Sequence, residues 1–314
     1  AFEFQGTGSV AVGINAGRET QGFDSVAVGS FAAENFQKER CVAVGYEAGF
    51  SNQASGSIAI GYQSGNQFQA SDCVAVGTRS GNESQGTRSI AVGFEAGFFE
   101  QQDSTIAIGF RAGYTGQNNE SVAIGFESGY TGQNNRSVSI GYQAGAGLQS
   151  SGSVAIGYQA GYSGQYGTTV AVGFEAGKVN QGTGSVAIGS LAGRNNQHEN
   201  TIIINAMGTA LDSDRSDAFF VQPIRDDTTG TDPRLRYITS TGEIIYDSTD
   251  TSVRSSKNTI FNLTDKESEL LFNLQTKTFN YNNGGRSDIG FIAEELLMFI
   301  VNFLYKIVKY SKKY

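Results

Sequence analysis

Apolar positions in the first two-thirds of the chain come in pairs flanking one small residue, and the pairs return every sixteen positions. The phrase reads V-A-V at 10–12, 26–28 and 42–44 and I-A-I at 58–60, and it continues to V-A-I at 186–188. Alternation of β-branched residues with alanine predicts a short strand with one apolar face, Val and Ile turned into the core. Twelve units keep Val or Ile at both outer positions, and the middle residue is Ala in all but one, Ser139. A glycine closes each strand, as at Gly29 and Gly125, and a second follows four residues on, as at Gly49 and Gly129. These are read as two obligatory corners. The residue before the second corner is Ala or Ser, as at Ala48, Ser64 and Ala112, and a last echo, TIIIN at 201–205, has lost its first glycine.

Polar positions keep the same period. One glutamine falls in each unit: Gln5, Gln21, Gln37, Gln53, Gln69, Gln85, Gln101, Gln117, Gln133, Gln149, Gln165, Gln181 and Gln197. A short fixed period without insertions is the signature of a solenoid and overrides any reading as an ordinary globular domain. The expected fold is therefore mostly β: a parallel β-roll or β-solenoid of thirteen sixteen-residue coils over 1–205. Stacked at one strand spacing, identical amides can hydrogen-bond along the rod, so the glutamines are read as a structural ladder. An aromatic often follows the first glycine, at Tyr46, Tyr62, Phe94, Phe110, Phe126, Tyr142, Tyr158 and Phe174. So thin a coil has little core to set against the entropy of ordering its backbone. Sister chains are the expected remedy, approaching over the alanine column and the glycine corners.

Composition narrows the function. The chain has 42 glycines, 2 prolines and no tryptophan, with glycine concentrated at two phases of the repeat and so marking turns, not disorder. Residues 251–314 carry +3, which leaves −11 for the first 250 residues of a chain at −8. An acidic rod is unsuited to nucleic acid, which requires a basic stripe. Cys41 and Cys73 both replace the Ser/Thr that opens the phrase, two units apart. At about 4.8 Å per coil their separation is roughly 9–10 Å, beyond the ~7 Å reach of a disulfide. Two free thiols are expected, a pattern that suits a reducing compartment. The single histidine, His198, cannot build a zinc site, and no calcium repeat, phosphate loop or triad stands out, so no metal or cofactor is expected. No signal peptide is read at the start of the sequence. The apolar run at 296–308 contains Asn302 and Lys306 and is too short to span a bilayer, so no membrane insertion is expected. A polysaccharide-cleaving solenoid would want wider coils and clustered acids, and an ice-binding one a flat column of paired threonines; neither is present.

The period stops at Asn205. A β connector is read over 206–250, where alternating apolar stretches at 218–227 and 235–248 around Thr241 and Gly242 predict a hairpin. In the segment 251–314, Thr264 and Glu267 form a capping box for a short helix through Leu274. KTFNY at 277–281 and DIGFIA at 288–293 flank an Asn-Asn-Gly-Gly turn as a second hairpin, and a helix is read from Glu294, giving a small α+β domain.

Two resemblances follow from these residues. The repeated S-V-A-I-G phrase, over 9–205, resembles the head repeats of trimeric autotransporter adhesins, and similar arrays occur in fibre-like proteins of giant DNA viruses and phages. The resemblance implies a parallel β-roll packed as a homotrimer; the membrane barrel that anchors the bacterial adhesins has no counterpart here. The run S-V-R-S-S-K at 252–257, the hairpin, and GFIAEE at 290–295 resemble the intramolecular chaperone domain of the S74 peptidase family. That implies a trimeric chaperone that assists fibre folding and then cuts itself off at Thr251–Ser252. Ser252 would be the nucleophile and Lys257 the general base, with Arg254 in support. A serine hydroxyl needs such a base, and lysine serves only when burial keeps it neutral. The run after GFIAEE is shorter and more apolar than the family's helical continuation. The resemblances together imply a homotrimeric fibre or spike of a virus particle, made in the host cytoplasm and used in host attachment. Its partners would be its own copies and a host-surface glycan or receptor, and its only activity a single-turnover self-cleavage. Alternatives are a glycan-binding adhesin module stacking sugars on the aromatic column, or a fragment of a bacterial surface adhesin.

Overall fold

The computed structural model describes residues 4–225, 234–247, 277–280 and 287–290, and every regular element within them is a β-strand. Up to Arg225 the chain winds as a parallel β-solenoid. Val10 pairs with Val26, Ala11 with Ala27 and Val12 with Val28, and the sixteen-residue offset holds through Val186, Ala187 and Ile188. The V-A-I strands form one fourteen-stranded sheet from Val10–Val12 to Phe219–Gln222. The strands ending in glutamine form the facing sheet. Seven run from Phe4–Gln5 to Phe99–Gln101, single bridges carry the pairing through Thr115, Thr131 and Gln149, and two more strands follow at Ser163–Gln165 and Val179–Gln181.

The interior is the reverse of the sequence expectation. Alanine, not Val or Ile, points inward: Ala27, Ala43, Ala59 and their successors to Ala187 are 0% exposed. The flanking Val and Ile face out, with Val12 at 57%, Ile60 at 39% and Ile188 at 42%. The alanine column is therefore not the surface on which sister chains can approach. The reason is the width of the coil. Two sheets closed by sixteen residues leave room for a methyl group opposite a methyl group, and the lumen is filled by Ala27, Ala32, Ser25 and the Gln21 side chain in one coil and their equivalents in the next. A branched side chain there would overpack it.

Each glycine corner has its own cause. At the first, φ is near +130°, and a Cβ on Gly45 would lie 2.4 Å from the Gly61 carbonyl oxygen of the next coil. At the second, φ is near +55°, and a Cβ on Gly49 would meet the Gln53 amide at 2.8 Å. Left-handed φ also recurs at non-glycine corner positions such as Asn15, Glu47 and Asp72.

Beyond residue 205 the solenoid sheet continues by one strand, with Ile202 paired to Phe219 and Ile204 to Val221 at an offset of seventeen. Phe219–Gln222, in the first of the two stretches read with the hairpin around 241–242, thus stacks on the rod. Bulk appears where the rod no longer repeats: Ile203 occupies the alanine position at 0% exposure, packed by Leu211 and Phe220. Asn205 replaces the corner glycine, its amide donating to the Ser190 and Thr209 carbonyls at 2.8 Å each. Larger side chains closing the lumen act as a cap, which solenoids need where stacking ends.

Contacts divide the chain after Arg225. Beyond it, Arg234–Ile238 pairs antiparallel with Glu243–Asp247 across a turn in which Gly242 has φ 71°. Lys277–Asn280 pairs likewise with Ser287–Gly290. The hairpin expected around 241–242 is thus formed, and strands on either side of the second expected hairpin pair, while its turn at 282–285 lies outside the described residues. The helices expected over 264–274 and from Glu294 lie outside the described residues.

Candidate interaction surfaces

Inside the coil, each glutamine leaves the second strand and spans the lumen. The Gln53 amide donates to the Val42 carbonyl at 3.0 Å and the Ser57 carbonyl at 3.1 Å, and to Gln69 Oε1 of the next coil at 3.1 Å. Every glutamine from Gln21 to Gln197 donates to the carbonyl eleven residues earlier, so the column ties the two sheets together; examples are Gln37 to Val26, Gln117 to Ile106 and Gln181 to Val170. Along the rod the amides link in runs: Gln37 to Gln53 to Gln69 to Gln85, Gln101 to Gln117 to Gln133, and Gln165 to Gln181. Between runs, the Oε1 atoms of Gln37, Gln101, Gln165 and Gln197 are buried without a partner. Ser139, the exception in the alanine column, fills a further gap: its hydroxyl donates to Gln149 Oε1 at 2.7 Å and lies 3.4 Å from Gln133 Nε2. This column is fully buried and presents nothing to a ligand.

The phrase-opening residues are also internal. Ser57 donates to the Ala70 carbonyl at 2.6 Å and Ser89 to the Gln102 carbonyl at 2.6 Å. Cys41 and Cys73 make the same contact with sulfur, to the Ala54 carbonyl at 3.0 Å and the Gly86 carbonyl at 2.8 Å. Both thiols are free and buried, as the spacing predicts. Burial pushes both thiols up, Cys73 to about 11, so neither is a nucleophile near neutral pH.

Outside, the Val and Ile side chains of the first sheet form a continuous apolar stripe. Fourteen strands at about 4.8 Å make it ~60 Å long, and two outward positions make it ~7 Å wide, roughly 400 Å² in projection. A patch of that size falls within the range of the largest apolar patch on an ordinary monomer, and such patches are often functional.

Beside the stripe runs the aromatic column. Phe94, Phe110, Phe126, Tyr142, Tyr158 and Phe174 stack with centroids 4.9–5.2 Å apart and planes within 9° of parallel. Stacked so closely, each ring covers its neighbour's face and offers solvent only its edge, which is poor geometry for a sugar that would lie flat on an aromatic face. The next position carries an alternating polar ladder. Glu95 is clamped by Arg79 at 3.3 Å and Arg111 at 2.8 Å from the adjacent coils, and Gln63 donates to Glu47 at 2.7 Å. Arg111 also lies over the Phe110 and Tyr114 rings at 5.2 and 5.5 Å. Near the far end Glu175 is held below the usual carboxylate range by hydrogen bonds from Lys178 and Arg194. This ladder was legible as charges of alternating sign at one phase, a signal the sequence reading did not use.

Ser252, Arg254 and Lys257 lie outside the described residues, so their mutual geometry is not defined. His198 contacts Ser213, whose hydroxyl oxygen lies 3.0 Å from Nδ1. Among the described residues no helix is long and apolar enough to cross a membrane.

These features define a class: a parallel β-solenoid repeat protein of sixteen-residue coils with a buried amide column and an apolar outer stripe. No family model matches the chain, and no curated protein or solved structure matches it.

Proposed function

We propose that the chain is the structural subunit of a homotrimeric fibre or spike on a virus particle, used in host attachment. Three rods pack their Val/Ile stripes against one another, and the segment 251–314 acts as a trimerisation chaperone that self-cleaves at Thr251–Ser252. The observation that supports trimer packing is the stripe: Ile108, Ile156 and Ile188 stay 36–42% exposed on a rod whose lumen, up to the Ile203 cap, holds small residues and glutamine. An identical stripe on each copy is self-complementary around a rotation axis, and burying it supplies the hydrophobic term the single coil lacks. The viral and chaperone parts of the reading rest on the resemblances of the S-V-A-I-G array and of the S-V-R-S-S-K and GFIAEE phrases.

The test is a pair of masses. By light scattering the wild-type chain runs as a trimer at micromolar concentration, and Ile108→Lys with Ile156→Lys, which places like charges around the axis, dissociates it. A monomeric wild type, or a double variant that stays trimeric, contradicts the packing. For cleavage, intact mass shows loss of the fragment 252–314 in wild type and its retention in Ser252→Ala; full-length mass in both removes the protease assignment.

A further inference from the structure

One surface feature is explained neither by the repeat nor by packing between copies. At the position just before the glutamine the backbone is left-handed in most coils, and most of those place Asn, Ser, Glu or Gly there, as at Asn52, Ser84, Glu100 and Gly116. Three coils place phenylalanine there, and two of them, Phe36 at φ 56° and Phe68 at φ 54°, hold it left-handed; Phe4 does not. A bulky residue is strained in that region. Neither ring is needed by the core, since Phe36 is 55% and Phe68 59% exposed. Strain retained without a packing reason points to function.

The two rings stand two coils apart with Asn52 between them, so their spacing along the rod is about 10 Å. The chain itself shows what that spacing holds. At a neighbouring position the Tyr114 ring sits between Phe98 and Tyr130, 5.3 Å from one and 5.0 Å from the other. Phe36 and Phe68 reproduce the outer members of such a triple with the middle ring missing. Below the gap lie Ala54 and Ala70, small residues at a position where other coils carry side chains as large as Gln102 and Tyr166, and the groove measures about 360 Å³. That volume lies at the small end of ligand sites and suits one or two six-membered rings.

The polar groups of the groove select among such rings. The Asn52 amide donates to Ser51 Oγ at 3.0 Å, and its carbonyl oxygen takes no hydrogen bond among the described residues. Lys38 lines the groove, and its ammonium is in no ion pair or hydrogen bond among the described residues; the adjacent Glu39 is engaged by Ser55 at 2.9 Å and Arg40 at 3.7 Å. Two aromatic walls, an amide at the floor and a free cation at the rim fit a ring that carries hydroxyls and a carboxylate. We infer that the groove between Phe36 and Phe68 is a saccharide subsite that takes one pyranose ring of a carboxylated glycan, with Lys38 meeting the carboxylate and Asn52 a ring hydroxyl. The groove lies on the glutamine-bearing sheet, across the lumen from the Val/Ile stripe, so packing through the stripe leaves it open. It gives the attachment reading a ligand class and rests on that reading only for its biological purpose.

The test uses the full chain with hyaluronan tetrasaccharide, chitotetraose as its neutral counterpart, and indole-3-acetate as a flat carboxylated control, read by saturation-transfer NMR and calorimetry. Wild type binds the hyaluronan fragment with Kd on the order of 1 mM, as a single sandwiched ring allows. Phe36→Asn with Phe68→Asn weakens it at least tenfold, and Lys38→Gln brings hyaluronan down to the chitotetraose level. Asparagine already occupies this position at φ 58° in Asn52, so the double variant keeps a backbone the repeat accepts, and its oligomeric mass is expected to stay that of wild type. No saccharide binding by wild type up to about 10 mM, binding that survives the double variant, or tighter binding of indole-3-acetate each overturns the subsite. All three results leave the trimer mass untouched, so failure here and failure of the trimer are told apart.

Discussion

The two glycine corners should respond differently to the same substitution, by an amount set by what the added methyl meets. At Gly45 a Cβ lies 2.4 Å from the Gly61 carbonyl oxygen and 2.8 Å from its carbon, both backbone. Reaching an ordinary contact of about 3.5 Å moves the next coil by roughly 1 Å. That shift strains the bonds joining the two coils there, Gly61 N–H to Val44 at 2.8 Å and Gln63 N–H to Tyr46 at 2.9 Å. Two such bonds at about 1 kcal/mol each, with about 1–3 kcal/mol for an L-residue at φ 134°, give a cost of about 3–5 kcal/mol. At Gly49 the obstacle is the flexible end of Gln53, 2.8 Å away, and φ 56° is a left-handed angle an L-residue can occupy at about 1–2 kcal/mol. The chain already carries alanine at this corner: Ala33 sits at φ 48°, fully buried, and the Gln37 to Gln53 bond beyond it persists at 2.9 Å. Guanidinium unfolding of Gly45→Ala and Gly49→Ala, with hydrogen exchange at the Gly61 and Gln63 amides, measures both. Equal losses of stability, or a Gly45→Ala cost below about 1 kcal/mol, would refute the close-approach argument.

Two other consequences are open to measurement. Gln117→Ala removes donors to the Ile106 carbonyl, the Ser121 carbonyl and Gln133, and the acceptor of Gln101, and should cost about 2–4 kcal/mol by denaturation, whereas a loss under about 0.5 kcal/mol would make the column ornamental. Cys73 is held protonated by burial, its pKa raised from 9.0 to about 11, so its contribution is intact below pH 9 and declines as pH rises through about 11. The loss is on the order of 2–3 kcal/mol. Cys73→Ser, which restores the residue most coils carry, should flatten that part of the stability–pH curve, and an unchanged slope would assign the alkaline loss to other groups.

The period, the strands and the corners were legible because a coil without insertions puts the same backbone demand at the same phase each time. Gly45 and Gly49 are fixed by φ and by the neighbouring coil, not by any distant contact. What the sequence could not convey was which side of the V-A-I strand is inside. The rule that branched residues go inward assumes a core wide enough to receive them, and here the lumen admits only the methyl of Ala43 or Ala123. The seventeen-residue step to Phe219 was hidden because its pairing follows from stacking on Ile202 and not from an alternating pattern of its own. The Phe36 and Phe68 pair was overlooked for a different reason. A repeat draws attention to what recurs, while a groove is made where the repeat is broken, by two rings and the Asn52 between them. Ser139 makes the same point inside the rod: the one departure from alanine before the Ile203 cap is the place where a hydroxyl bridges Gln133 and Gln149.

The claim on which the account turns is that outward Val and Ile exist to meet sister chains. Sedimentation equilibrium of the Ser252→Ala chain, which cannot lose its C-terminal segment by the proposed route, tests it most directly. A subunit of 33.3 kDa predicts a single species of ~100 kDa that persists on dilution to micromolar concentration. A stable, well-dispersed species at 33.3 kDa, its stripe open to water, would contradict it.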